Sequence, residues 1–474
     1  MINSYQDTIV SPATTPGTGA ISIIRVSGPD AFSLTDRVVS LKEGTVADAP
    51  GYTLHYGSVL DSGRLLDEVL VSVFRAPHSY TGEDSVEIST HASSYIVSEL
   101  IRLLLEAGAR MAEPGEFTRR AFLNGKMDLA QAEAVADVIS SSTAASHRVA
   151  MNQLKGGFSK ELSHLRSELL EMASLLELEL DFSEEDVEFA DREKLLGLLD
   201  TTRAHVDRLA ASFHQGNMIK NGVPVAIVGA ANAGKSTLLN ALVGEERAIV
   251  TDIPGTTRDT IEEVMNLEGV LFRFIDTAGI RDSEDTVENL GIERSFRKMA
   301  EAEIVLGMLD GTSERKELAA QLALLGQHLS GGSQKLILLL NKADLVENSA
   351  YNKKVSIINN FVLSVDNKVN VLELSAKYGQ GLDQLKSTLV SLEKDLISGQ
   401  NATFVTNVRH YDALRQASSA LRDCRTSLSC GIPSDLVAED LRRALSSINA
   451  ILGTDLLDPE LILHSIFKNH CIGK

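Results

Sequence analysis

The sequence carries only three cysteines, Cys424, Cys430 and Cys471, in 474 residues. Three thiols cannot form a disulfide framework, and no C-x-x-C spacing offers a structural metal site. No apolar run approaches the roughly 18 residues that a membrane span needs. The first residues, Met1-Ile-Asn-Ser-Tyr-Gln-Asp7, lack the basic and apolar regions of a secretory signal. These absences lead to the expectation of a cytoplasmic protein. Basic charge is scarce too: 45 Lys and Arg against 65 Asp and Glu leave a formal net charge of −20. A protein that wraps nucleic acid alone presents a basic face. Any action on RNA here needs a local positive patch or a partner's charge.

What is present is the composition of a globular protein, 43% apolar and 23% charged. The length exceeds one ordinary core, so two or three domains are expected. The most informative stretch is Gly229-Ala-Ala-Asn-Ala-Gly-Lys-Ser-Thr237. It follows an apolar run, Val223 to Val228, that reads as a buried strand. It opens a run, Leu238 to Val243, that reads as a helix stopping at Gly244. A strand, a loop spaced G-x-x-x-x-G-K-S and a helix form a phosphate cradle. Gly229 and Gly234 let the backbone curl so that N–H groups point inward. Lys235 supplies a full positive charge for the outer phosphates, and the Ser236 hydroxyl can ligate Mg²⁺.

Three further segments select guanine. Asn341-Lys-Ala-Asp344 follows a strand-like run, Leu336 to Leu340. The Asp344 carboxylate can accept from guanine N1–H and the exocyclic amine, a donor pair that adenine lacks. Ser375-Ala-Lys377, after Val371 to Leu374, is placed to give backbone contacts to the base. Asp276-Thr-Ala-Gly279 ends another strand and brings a carboxylate near the metal and an amide near the γ-phosphate. Between them, Ile249-Val-Thr-Asp-Ile-Pro-Gly-Thr-Thr-Arg-Asp259 reads as a switch loop, where Thr256 or Thr257 can complete a Mg²⁺ shell. Together these predict GTP hydrolysis. Ile280 follows Gly279, where many small GTPases place a Gln that orients the attacking water. The carboxylates within Arg281 to Glu288 are the candidates for that task.

Around this unit the pattern changes. The first ~120 residues read as mixed α/β, with strand-like Ala20–Val26, Val69–Phe74 and Ser85–Ser89, and a helix over Tyr95–Ala107 ended by Gly108. Arg25, Glu87 and Lys126 read as polar residues near strand ends or loops. From Met127 to His214 the pattern is almost uninterrupted helix. In it Leu162, Leu165, Leu169, Met172 and Leu176 form one apolar stripe, and Glu184-Glu-Asp186 an acidic turn. Helical pattern returns over Phe404–Leu421 and over Ser434–Leu452, the latter with Ser434 as N-cap. The expected fold is therefore α/β and multidomain. An N-terminal α/β domain precedes a helical-bundle domain that carries an inserted Ras-like doubly wound GTPase domain. The expected boundaries are 1–120, 121–217, 218–384 and 385–474.

These features together resemble the MnmE (TrmE) family of tRNA modification GTPases over essentially the whole chain. The resemblance rests on Asp7-Thr-Ile-Val10 through Ile24-Arg-Val-Ser-Gly28 and on Ser79-Tyr-Thr-Gly-Glu-Asp84. It rests also on Pro114-Gly-Glu-Phe-Thr-Arg-Arg-Ala-Phe-Leu-Asn-Gly-Lys126, the nucleotide motifs and the terminal Cys471-Ile-Gly-Lys474. It implies an N-terminal domain that dimerises and binds a tetrahydrofolate derivative, 5-formyl or 5,10-methylene, through Arg25, Glu87, Lys126 and Lys474. It implies a homodimer that works with the FAD-dependent protein MnmG, in a heterotetramer. Together they add a carboxymethylaminomethyl or aminomethyl group to C5 of the wobble uridine of certain tRNAs. Glu288 matches the catalytic carboxylate and Cys471 the reactive tail residue. Ser236 and Thr257 match Mg²⁺ ligands, and Asn232, Thr251, Ile253 and Thr256 match ligands of a K⁺ that takes an arginine finger's place. The GTP-contacting set then runs through Asn232, Ala233, Gly234, Lys235, Ser236, Thr237, Thr251, Asp252, Ile253, Pro254, Gly255, Thr256 and Thr257. It continues with Asp276, Thr277, Ala278, Gly279, Asn341, Lys342, Asp344, Ser375, Ala376 and Lys377. The competing expectation is a regulatory GTPase switch in ribosome assembly. It shares residues 218–384 but leaves the N-terminal domain and Cys471 without a task.

Overall fold

The computed structural model describes residues 7–181, 192–230, 232–245, 263–275, 299–329, 334–345, 348–365, 369–394 and 403–454. The N-terminal unit runs β1 (Ile9–Pro12), β2 (Ile21–Ser27), α1 (Ala31–Val38), β3 (Val39–Leu41), β4 (Thr53–Asp61), β5 (Arg64–Phe74), β6 (Ser85–His91), α2 (Ser94–Ala107), β7 (Arg110–Met111) and α3 (Glu116–Leu123). Its strands form one sheet in the order β3-β4-β5-β6-β2-β1-β7, antiparallel except for β1 with β7. Alternation explains its two faces. Val10, Ile24, Val26, Val71, Val73, Val86 and Ile88 point to one side, where Phe32 of α1 and Leu100 and Leu104 of α2 cover them. Arg25 and Glu87 lie on the other face, directly opposite each other in the β2–β6 register. They are mid-strand residues, not the strand-end or loop residues that the sequence pattern indicated.

The helices that follow are α4 (Leu129–Ser140), α5 (Ala144–Leu154), α6 (Gly157–Asp181) and α7 (Arg192–Asn221). The near-continuous helical pattern is thus divided at Ser141–Thr143 and at Lys155–Gly156. Thr143 caps α5 with a reciprocal Ser146 bond, and Gly156 takes φ 78°. The acidic turn at 184–186 lies outside the described residues. The expected stripe is buried throughout, from Leu162 to Leu176.

The nucleotide-binding unit comprises β8 (Val223–Gly229), α8 (Lys235–Glu245), β9 (Glu263–Leu267), β10 (Val270–Ile275), β11 (Ile304–Asp310), α9 (Arg315–His328), β12 (Lys335–Asn341), α10 (Asn348–Ser364), β13 (Val369–Glu373) and α11 (Leu382–Leu392). Among the described residues its sheet runs β13-β12-β11-β8-β10-β9, parallel except for the β9–β10 hairpin at one edge. Consecutive apolar residues in the central strands divide between two cores, as strands covered on both faces require. Val225, Ile227, Leu306, Ile337 and Leu339 pack with α8 and α11, whereas Ala226, Val228, Val305, Leu336, Leu338 and Leu340 pack with α9 and Ile358. Helix α8 begins at Lys235 and continues through Gly244. The sequence expectation of a stop at Gly244 fails because that glycine keeps helical backbone.

Last come α12 (Val408–Ser429) and α13 (Ser434–Leu452). The expected helix from Phe404 is displaced: Asn407 is the N-cap, accepting from the Arg409 N–H, and Phe404 to Thr406 precede it as non-helical backbone. Pro433, not Ser434, occupies the N-cap of α13, and it offers no side-chain cap. Helices from both sides of the nucleotide-binding unit share one core. Phe158, Leu165 and Met172 of α6 and Leu199 and Val206 of α7 meet Leu414 and Leu421 of α12 and Leu441 and Ile448 of α13. The two chain crossings run side by side: Ser212 Oγ accepts from Val405 N at 3.1 Å, and Gln153 Nε2 donates to Phe404 O at 3.0 Å. Ala145 of α5 and Phe404 join the core of the nucleotide-binding unit itself.

Candidate functional site

The phosphate loop lies at the carboxyl end of β8, the edge of an open parallel sheet where ligands bind. Asn232 takes φ 60° and Gly234 φ 100°, left-handed conformations that turn the loop back on itself. At Gly234 a Cβ would run into Asn341 Nδ2, so glycine is required there for space as well as conformation. Ala233, within the loop, is fully buried. Lys235 opens α8, and its Nζ folds back to donate to Gly229 O at 2.9 Å and Ala230 O at 2.8 Å. Burial holds its pKa below the ordinary lysine value. The ammonium thus sits against loop carbonyls that a phosphate oxygen can replace as acceptor. Ser236 and Thr237 follow it in the first helical turn, exposed beside helix N–H groups of partial positive charge.

Asn341 ties this loop to the base-reading side. It ends β12, almost fully buried, and its Nδ2 donates to Ala233 O at 2.7 Å. Its Oδ1 accepts from Ala376 N at 3.0 Å. The phosphate loop and the Ser375–Lys377 loop are therefore fixed through one side chain. The Ser375 backbone bridges to Gln380, and the buried Ser375 Oγ has no partner among the described residues. Lys342 adopts φ 62°, and its Nζ donates to Asp310 Oδ2 at 2.6 Å. Burial alone would raise the Asp310 carboxyl, but bonds from Lys342 and Thr312 hold it below its usual range. Asp344 sits exposed in a 3₁₀ turn, Ala343–Leu345, with its carboxylate open to an incoming base. The Lys377 ammonium lies 5.2 Å from the Tyr378 ring centroid.

A second constellation lies on the N-terminal sheet. Arg25 donates to Glu87 Oε1 through Nε at 2.9 Å and Nη2 at 2.8 Å. Its guanidinium sits 5.2 Å from the Tyr80 ring centroid and 5.5 Å from that of Phe117. Tyr80 is held in turn by a 2.8 Å bond between its hydroxyl and Thr118 Oγ1. Lys126, exposed, donates to Pro77 O at 2.8 Å. Arg25 and Lys126 thus meet the same 77–84 loop, whose Gly82 lies against Asn124 and Lys126. Sequence reasoning missed Tyr80, Phe117 and Asp310. The first two lie inside the Ser79–Asp84 and Pro114–Lys126 motifs, where their ring type was the available signal.

Two family models match the chain: "GTP-binding protein TrmE N-terminus" over residues 8–126 and "MnmE helical domain" over residues 129–471. The chain is 50% identical over 473 residues to the tRNA modification GTPase MnmE of Bacteroides thetaiotaomicron, covering 99% of this chain and 100% of that one. The chain belongs to the MnmE family. Similarity to two further members is of the same order. The protein of that name from Flavobacterium johnsoniae is 48% identical over 477 residues, with both chains fully covered. The one from Porphyromonas gingivalis is 46% identical over 474 residues, covering 99% of this chain and 98% of that one.

Of the family-matched positions, Thr251, Asp252, Ile253, Pro254, Gly255, Thr256, Thr257, Asp276, Thr277, Ala278, Gly279, Glu288, Cys471 and Lys474 lie outside the described residues. The described part of the Mg²⁺ set is Ser236 and of the K⁺ set Asn232. Both are exposed on the phosphate loop, with oxygen donors suited to hard cations. The Arg25–Glu87 pair offers both a cation and a carboxylate on a partly exposed face, which suits a ligand with acidic and amide-like groups. Among the described residues no helix is long and apolar enough to cross a membrane.

Proposed function

We propose that the chain is a GTP hydrolase of tRNA modification, the activity in the name of its relatives. The observation that carries this is Asn341, which joins the phosphate loop to the Ser375–Lys377 loop beside Asp344, as a guanine-nucleotide site requires. Lys235 exchanges its loop carbonyls for the outer phosphates, while the amides at the start of α8 hold the remaining oxygens. Ser236 and Thr257 would hold Mg²⁺, and Asn232, Thr251, Ile253 and Thr256 would hold K⁺, in a chain whose nucleotide-binding units dimerise. These ions supply the positive charge that offsets charge developing on the phosphates. Glu288 orients the attacking water in place of the Gln that Ile280 cannot supply.

The remaining assignments belong to the same reading. Arg25, Glu87, Lys126 and Lys474 contact a one-carbon tetrahydrofolate in a cytoplasmic homodimer. Working with the FAD-dependent MnmG, the protein places an aminomethyl-type group on C5 of the wobble uridine, with Cys471 in the reactive tail. The partner supplies positive charge for tRNA, which agrees with the net −20 of this chain. The test measures GTP hydrolysis by the full chain in K⁺ and in Na⁺, with and without Glu288→Ala. The expected result is faster turnover in K⁺ and loss of turnover with retained GTP binding in the variant. Equal rates in both salts, or full turnover by Glu288→Ala, would overturn it.

A further inference from the structure

Arg120 heads the fully buried side chains by volume among the described residues, with none of its surface exposed. A buried guanidinium is costly unless every donor is met by a well-placed acceptor. Here Nη1 donates to Asp7 O at 2.9 Å and reaches Glu83 Oε1 at 3.2 Å. Nη2 donates to Asp7 Oδ1 at 2.8 Å and to Glu116 Oε1 at 3.0 Å. Two segments that are distant in sequence therefore converge on this side chain of α3, the approach to β1 at Asp7 and the 79–84 loop, while Glu116 braces it from one turn earlier on the same helix. Arg110 braces the same carboxylates, donating to Asp7 Oδ2 and to both oxygens of Glu116. Glu83 also accepts from Ser27 Oγ at 2.8 Å, only two residues along β2 from Arg25.

What this cluster holds is more telling than the cluster. Tyr80 stands three residues before Glu83 in the clamped loop, and Phe117 stands three residues before Arg120 on α3. Both rings contact the Arg25 guanidinium. We propose that Arg120 is a positioning residue for the folate site, fixing through Glu83 the loop of Tyr80 and through Asp7 the helix of Phe117, the two rings against which Arg25 is oriented toward its ligand. The proposal rests on the reading of Arg25 and Glu87 as folate-contacting residues. A planar five-donor fork can address Asp7, Glu83 and Glu116 together, whereas a lysine ammonium concentrates its donors at one point. Replacement by lysine therefore keeps the charge but frees the loop or the helix.

The experiment titrates the full chain with 5-formyltetrahydrofolate at a temperature where circular dichroism shows every variant folded. The variants are Arg25→Ala, Arg120→Lys and Glu83→Gln; the last keeps shape and tests the same clamp if Arg120→Lys does not fold. The expected result is loss of binding in Arg25→Ala and at least tenfold weaker binding in the other two, with their GTP hydrolysis rates unchanged. If Arg120→Lys and Glu83→Gln bind as tightly as the native chain and only their melting temperatures fall, Arg120 is structural and the proposal is overturned. If the native chain fails to bind, or Arg25→Ala binds equally well, the folate reading itself falls and the positioning role goes with it.

Discussion

Asn341→Ala is the substitution that probes the nucleotide site most directly. The side chain is 4% exposed and makes two hydrogen bonds, to the Ala233 carbonyl and from the Ala376 amide. Removing it leaves one acceptor and one donor without partners in a buried setting. Each such orphan costs about 1–3 kcal/mol, so the pair is worth about 2–6 kcal/mol. Neither bond is made to nucleotide, so the loss appears first as a looser frame. If about 3 kcal/mol of it is recovered only when bound nucleotide reorders both loops, affinity falls on the order of 100-fold. The assay pairs urea unfolding of the nucleotide-free chain with fluorescence titration of a labelled GDP. Asn341→Asp keeps an acceptor for the Ala376 amide but sets an oxygen against the Ala233 carbonyl, so it should bind no better than Asn341→Ala. An Asn341→Ala chain with native urea stability and GDP affinity within threefold of native would refute the reasoning.

Three further outcomes are expected. Burial alone would raise the Glu133 carboxyl, but the charges and hydrogen bonds of His410 and Arg409 bring it from 4.5 down to about 2. A depressed carboxyl stabilises the fold above its unfolded pKa and ceases to as pH falls through the folded one. Native chain should therefore lose its advantage over Glu133→Gln, on the order of 3 kcal/mol by chemical denaturation, between about pH 4.5 and 2. Gly453 ends α13 at φ 78°, where a Cβ would meet Phe122 Cζ at 2.8 Å and Leu129 Cβ at 2.9 Å. Gly453→Ala should lower unfolding stability by about 1–3 kcal/mol through overpacking alone, and an unchanged melting temperature would contradict that. Burial and the charge of Asp440 push the Cys424 thiol up to about 12. With iodoacetamide at pH 8, peptide mass spectrometry should find the exposed Cys430 alkylated well before Cys424.

Legibility followed how local the determining physics was. Leu336–Leu340, a continuous apolar run, reads at once as a strand, and it is the centre of β12, where it is buried on both faces. The stripe from Leu162 to Leu176 likewise reports its own burial through spacing alone. Phe404 misled because its apolar neighbours fit a helical period, while tertiary contact holds it in non-helical backbone in the core of the nucleotide-binding unit. Arg25 and Glu87 are 62 positions apart, and only strand register sets them face to face. No periodicity encodes that pairing, and the same holds for the link from Asn341 to Ala233 across 108 positions. The phosphate loop was legible because its glycines, lysine and serine act within a few residues of one another.

The neighbouring chain crossings at Ser212 and Val405 bear on how the helical core comes together. Its two halves are separated in sequence by the whole nucleotide-binding unit, and joining the ends of roughly 180 flexible residues costs about 4–5 kcal/mol in entropy. An insert that has already folded presents its ends as neighbours and removes that penalty before the flanking helices meet. Stability of the insert thereby becomes a kinetic variable for a core to which it contributes few side chains.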